Sequence, residues 1–286
     1  MDSTSHAPLT LRRTALMLLR MLAISLGAVA LWVGIITATD LLLGAEMSLA
    51  KHVANAIGIF ATAVPLTLIL ARHVDGVPRA ALGLGSVHSA FRTLLLGAVA
   101  WLLPAAAGLG VAVSSGWLEI RAGSSVWEVA GATLLLIALV FTFEAFPEEL
   151  LFRGYIQGRL RMALSPWWSV VAQALLFAVW GTSFWVVGAG WSVLVERAAL
   201  FFVMGLTLGA IRLMTRSLWA TIGFHVAFQV CMQLVLGGRY AVVEVSSEWV
   251  FTLATALVAF CASPAIIALI RLAQRNRSGS QQTGAK

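Results

Sequence analysis

Charge is what this sequence has least of: 11% of its 286 residues are Asp, Glu, Lys or Arg, and acids are scarcer than bases, 12 against 19. A soluble domain carries roughly a quarter charged residues, so a water-facing surface over the whole chain is excluded. Cysteine is almost missing as well. Cys231 and Cys261 both lie in apolar runs, which excludes a disulfide framework and leaves no thiol spacing suited to a metal. No internal repeat of useful strength is visible, which speaks against a transporter built from inverted repeats. No polar stretch is long enough for a soluble domain.

What is abundant is apolar. The chain is 60% hydrophobic with a mean hydropathy of +0.93, the composition of a polytopic membrane protein. Residues 1–13 are polar and end in Arg12-Arg13, and the apolar run after them reaches about Leu43. That is too long for a secretory signal core, so a signal-anchor first span is expected. Seven further runs of spanning length follow at about Val53–Ala71, Leu94–Val113, Val129–Leu151, Trp168–Val187, Leu194–Met214, Leu218–Leu236 and Trp249–Leu272. The expected fold is therefore an all-α integral membrane protein of about eight transmembrane helices. Its organisation reads as helices 1–3 over 1–127, a core of helices 4–7 over 128–236, helix 8 over 237–272 and a disordered polar tail over 273–286.

The basic residues orient it. With eight spans, Arg12, Arg13, Arg20, Arg72, Arg79, Arg92, Arg153, Arg159, Arg161, Arg212, Arg216, Arg271, Arg275, Arg277 and Lys286 share the face of the termini, while Lys51, Arg121, Arg197 and Arg239 fall on the other. The positive-inside rule makes both termini cytoplasmic and accounts for the net charge of +7 without a nucleic-acid partner. Trp117, Trp127, Trp167, Trp168, Trp191 and Trp249 sit near span ends, where an aromatic belt places them.

Against this background the run Phe141-Thr-Phe-Glu-Ala-Phe-Pro-Glu-Glu-Leu-Leu-Phe-Arg153 stands out, because it brings Glu144, Glu148 and Glu149 into a membrane span. Ionisable groups there are costly and mark function by default; the competing reading is a solvated helix end among headgroups. Glu149 and Arg153 are at i,i+4 with the acid first, the favourable order for a helical ion pair. Glu148 is rotated about 100° from Glu149 and can serve a different neighbour. Glu144 lies one turn deeper, where two ionised carboxylates would repel. Pro147 removes a backbone donor and is expected to disturb the helix around Phe143. In the seventh span, Ser217 is a candidate N-cap, His225 is the one histidine of five placed inside a span, and Gln229 is one turn further on. His6, His52, His73 and His88 read as tail, loop or span-edge residues. Gly181, Thr182 and Ser183, and Gly205-Leu-Thr-Leu-Gly209, read as helix-packing surfaces rather than chemistry.

The segments Glu148-Glu-Leu-Leu-Phe-Arg153-Gly, Leu175-Leu-Phe177-Ala-Val-Trp-Gly181, Gly205-Leu-Thr-Leu-Gly209 and Ser217-Leu-Trp-Ala-Thr-Ile-Gly-Phe-His225 resemble the CAAX protease and bacteriocin-processing family of intramembrane glutamate-dependent endopeptidases. The resemblance covers about residues 128–235. It implies that Glu148 activates water, that Glu149 and Arg153 support it with Glu144 as an extra acid, and that His225 and Gln229 stand on the oxyanion side. Two positions depart from the family pattern: Gly181 occupies the place of the second motif's histidine, and Gln229 that of an asparagine. Losing general acid–base help costs about 10²–10⁴ in rate and losing an oxyanion donor about 10²–10³.

The resemblance therefore implies either an endopeptidase of weakened or altered activity, cutting a lipidated or membrane-inserted peptide near the cytoplasmic face, or a non-catalytic relative that binds a membrane peptide or protein in bacteriocin self-immunity or as a chaperone. It also implies the plasma membrane of a prokaryote. No cofactor is expected. A zinc site is the weaker reading, since a catalytic one takes three protein ligands and only Glu144, Glu148 and His225 are candidates.

Overall fold

The computed structural model describes residues 11–283; His6 and Lys286, assigned to the terminal segments from the sequence, lie outside them. Among the described residues eight helices are long and apolar enough to cross a membrane, and the protein is a predominantly helical multi-pass membrane protein. They are α1 (Leu11–Leu43), α2 (Leu49–Val74), α3 (Val87–Ser114), α4 (Val126–Leu160), α5 (Pro166–Ala189), α6 (Leu194–Thr215), α7 (Leu218–Val235) and α8 (Glu248–Leu272). The helix of α8 runs on to Thr283, into the polar stretch 273–286 that the sequence marks as a tail. The six tryptophans assigned to a belt are all well exposed beside helix ends, as amphipathic rings at headgroup depth would be.

The chain forms two compact units, Met1–Leu82 with Leu150–Gly209, and Gly83–Glu149 with Ala210–Lys286. In the first, α1 and α2 meet through buried polar pairs. Thr39 donates to Asn55 Oδ1 at 2.6 Å. Lys51, buried in the first turn of α2, pairs with Asp40 and donates to the carbonyl of Ala45 at 2.6 Å. His52, placed at a span edge by its sequence position, is buried beside it. Ser48 caps this helix by accepting from the amide of Lys51. Just past α2, the buried carboxylate of Asp75 takes Arg20 at 2.6 Å, the Tyr155 hydroxyl, and Arg159 at 3.6 Å. Helices α5 and α6 approach through the small-residue face: a Cβ at Gly205 would stand 2.8 Å from Ala174 Cα, and Gln173 Nε2 donates to the bared carbonyl of Gly205 at 2.6 Å.

In the second unit, α3 and α7 cross at a reciprocal pair of glycines. A Cβ on Gly97 would meet the carbonyl oxygen of Ala220 at 1.8 Å, and one on Gly223 that of Leu94 at 2.0 Å. Only glycine allows backbones this close. Ser217 precedes α7 as expected, but its side chain makes no capping bond; its hydroxyl instead meets that of Thr93 at 2.8 Å. Trp101 Nε1 donates to the carbonyl of Thr255 at 2.9 Å and Ser263 to that of Ala100 at 2.7 Å, tying α3 to α8. The two loops near Trp117 and Tyr240 pair as a short antiparallel ribbon, β1 (Ile120–Ala122) and β2 (Val243–Val245), with Arg121 opposite Glu244. Three residues a side gave no strand signal amid helical runs.

Candidate functional site

Helix α4 is not uniform. Its α-helical start gives way to a π-helical segment at Phe141–Ala145, a single α turn at Phe146–Glu149 and a second π segment at Leu150–Ile156. Pro147 sits in the turn between them and has no N–H to give to the carbonyl one turn back, which is a physical cause for a local change of winding. Each π turn takes more residues than an α turn, so side chains are re-phased and ideal helical spacing fails across the motif.

The result is a polar seam between α4 and α7 inside the second unit. His225 is buried, with Nδ1 3.0 Å from Glu149 Oε1 and Nε2 3.9 Å from Glu148 Oε2. Glu148 and Glu149 are buried as well. The first distance is a hydrogen bond; the second is too long for one and suits a bridging polar group. Further along the same face of α7, Gln229 Nε2 donates to Glu144 Oε2 at 2.6 Å, and Gln233 Nε2 to Glu144 Oε1 at 2.9 Å. Positions 225, 229 and 233 are the i, i+4, i+8 stripe of one helix face.

Six of the seven residues singled out from the sequence can be placed chemically. Glu144, Glu148, Glu149, His225 and Gln229 come together in the second unit. Arg153 belongs to the first, where it is buried with its guanidinium 4.1 Å over the ring of Phe177, a cation–π distance. Gly181 contributes no side chain, and the space it leaves is taken: a Cβ there would lie 2.7 Å from Phe201 Cδ1. Phe201 packs on Phe177, Phe177 on Phe152 and Trp180, all with ring centroids within 5.8 Å. Ser183 donates back to the carbonyl of Val179 at 2.6 Å, a helix-internal bond.

Three relationships were missed from the sequence. Glu149 was assigned to Arg153, yet it also holds His225. Gln233 was passed over, although extending the 225–229 stripe by one more turn finds it. Phe201 carries no sequence signal at all, being one apolar residue of a span.

The donor set is carboxylate-rich, and among the described residues no group of three or more His, Cys, Asp and Glu is disposed to hold a metal ion. No curated protein matches the chain. Residues 130–231, which contain Glu144, Glu148, Glu149, Arg153, Gly181, His225 and Gln229, are similar to the family whose model is described as type II CAAX prenyl endopeptidase Rce1-like.

Proposed function

We propose that the protein is an intramembrane endopeptidase that uses Glu148 to activate water near the cytoplasmic face of a prokaryotic plasma membrane, with both termini cytoplasmic, and hydrolyses a peptide bond in a lipidated or membrane-inserted peptide. The observation that carries this reading is His225 held between Glu149 at 3.0 Å and Glu148 at 3.9 Å in a buried site. Glu148 takes a proton from water, and the hydroxide adds to the peptide carbonyl carbon. Its oxygen becomes an oxyanion that accepts from His225 Nε2–H, the ring entering and leaving the step as the imidazolium with its Nδ1–H held by Glu149. Collapse breaks the C–N bond, and Glu148 returns its proton to the leaving amine. Glu149 and Arg153 are supporting residues in this scheme.

A second reading is a non-catalytic relative that binds such a peptide or another membrane protein. It is favoured by two features: Phe201 fills the space beside Gly181, and the Gln229 amide is engaged by Glu144. The test incubates purified protein in liposomes with a prenylated peptide and a panel of transmembrane peptides. Wild type is compared with Glu148→Gln and with Gly181→His in a Phe201→Ala background, which makes room for the ring. Cleavage by wild type that Glu148→Gln abolishes supports the enzyme. Binding without cleavage by wild type, with cleavage gained in the double variant, establishes the second reading.

A further inference from the structure

Glu144 is the one carboxylate of the motif that the scheme above leaves unused. It lies deep in α4, 18 residues from Val126 and 16 from Leu160 (144 − 126 and 160 − 144), or about 24–27 Å from either end at 1.5 Å per residue. Both of its oxygens accept from amide nitrogens, Oε2 from Gln229 and Oε1 from Gln233. A carboxyl group that accepts on both oxygens and donates nothing is using the hydrogen-bonding pattern of the ionised form. Yet among the described residues no Lys, Arg or His nitrogen comes within 4.0 Å of it. His225 and Arg239 act on it only from beyond that distance.

A carboxylate is an expensive way to hold two helices together in lipid. Two glutamines, or a glutamine and a serine, would link α4 to α7 with neutral hydrogen bonds at lower cost. Glu144, Gln229 and Gln233 are each only partly buried as residues. Each amide that gives its NH₂ to Glu144 keeps its own carbonyl oxygen as an acceptor. The assembly is thus rich in acceptors and negative, the complement of an ammonium with three donors and one positive charge.

We propose that Glu144, flanked by Gln229 and Gln233, binds the ammonium group of a lysine carried within the apolar stretch of a membrane-inserted peptide. The proposal rests on the membrane-peptide part of the reading above and holds for a substrate or a ligand alike. The three residues are a specificity site one to two turns of α7 from His225, and the lysine sets the register in which the peptide lies along α7.

The test uses the full chain in nanodiscs with Glu148→Gln, so that no bound peptide is cut. Two fluorescent peptides of about 24 apolar residues differ only at the midpoint, lysine in one and norleucine in the other. The lysine peptide is expected to bind at least about tenfold more tightly. Adding Glu144→Gln, whose amide still hydrogen-bonds with both glutamines, should bring lysine-peptide binding down to that of the norleucine peptide in the same variant. Equal binding of the two peptides, or a lysine preference that survives Glu144→Gln, overturns the proposal. Carbodiimide coupling of the peptide lysine needs no change at position 144: an adduct mapped to Glu144 supports the site, and adducts mapped only to other carboxylates overturn it. Cleavage of the prenylated and norleucine peptides by wild type is scored separately, so failure of the lysine site and failure of the protease reading are told apart.

Discussion

The Phe201 ring lies against Gly181 so closely that a Cβ at 181 would stand 2.7, 2.8 and 2.9 Å from its Cδ1, Cγ and Cε1 atoms. Cγ is the root of the ring, so relief requires the whole side chain to turn, and its neighbour Phe177, 5.8 Å away, holds it edge-on. Overpacking of this kind costs about 1–3 kcal/mol. Gly181→Ala should therefore lower the unfolding midpoint in detergent. In a Phe201→Ala background the same change should be neutral or stabilising by up to about 1 kcal/mol, the helix propensity of Ala over Gly. Additive effects in the double-mutant cycle would disprove the contact. The cycle also explains why histidine at 181 needs a second substitution to be accommodated.

The reciprocal glycines of α3 and α7 predict a harsher outcome. At Gly97 and Gly223 the obstacle is backbone, the carbonyls of Ala220 and Leu94 at 1.8 and 2.0 Å from an added Cβ, and a carbonyl cannot rotate away as a side chain can. Gly97→Ala and Gly223→Ala should each force the helices apart, at a cost at or above the upper end of the roughly 1–3 kcal/mol range. Thermal unfolding in detergent, with the fraction of monodisperse protein on gel filtration, reads this out. Stability equal to wild type would show that the crossing is wider than described.

Much of the fold could be read from composition and length, because a bilayer demands about twenty apolar residues per crossing and leaves little else for such a run to do. The eight spans followed from that alone, and the acidic motif was visible because a carboxylate in a span is conspicuous. Partners across the seam were not legible. The i,i+4 rule pairs Glu149 with Arg153 within one helix and says nothing of other helices, and Glu149 also reaches His225, 76 residues away in sequence. Burial was not legible either: His52 reads as a tail, loop or span-edge residue and Lys51 as one of the basic residues outside, yet both are buried at the start of α2, Lys51 against Asp40 and the carbonyl of Ala45. Phe201 could not be foreseen, since what matters is the glycine it rests on.

Asp75 is the hub of a second buried polar cluster and gives a prediction independent of the candidate site. Its carboxylate serves Arg20 at 2.6 Å, the hydroxyl of Tyr155, and Arg159 at 3.6 Å, and its own side chain is 3% exposed. Removing the only acid among two guanidinium groups leaves uncompensated charge near the protein interior. Breaking a buried pair typically costs about 3–5 kcal/mol; Arg20 is 38% exposed and regains some hydration, so Asp75→Asn should fall towards the lower end. Arg20→Gln should cost less, because Arg159 remains. A smaller loss for Asp75→Asn than for Arg20→Gln in detergent unfolding would show that Asp75 is not the centre.

The contact between Glu149 and His225 can be tested without any substrate. A carboxylate can only accept, so the 3.0 Å contact requires the proton on Nδ1, and the proposed hydrolysis needs a second proton on Nε2. Glutamine at 149 has the same shape but can turn its NH₂ towards the ring, which rewards the opposite tautomer, with Nδ1 bare and the proton on Nε2. Nitrogen-15 NMR of His225, the other four histidines being replaced one at a time for assignment, should show protonated Nδ1 in wild type and a shift towards Nε2–H in Glu149→Gln. If the proposed hydrolysis is observed, the same variant keeps Nε2–H for the oxyanion but loses the carboxylate that steadies the ring and its positive charge, so kcat should fall by about 10²–10³ with little change in KM. Glu149→Asp, which keeps the acceptor character, should restore the Nδ1–H tautomer and part of the rate. An unchanged tautomer in Glu149→Gln would mean that another group orients His225, and the assignment of Glu149 as its holder would fall.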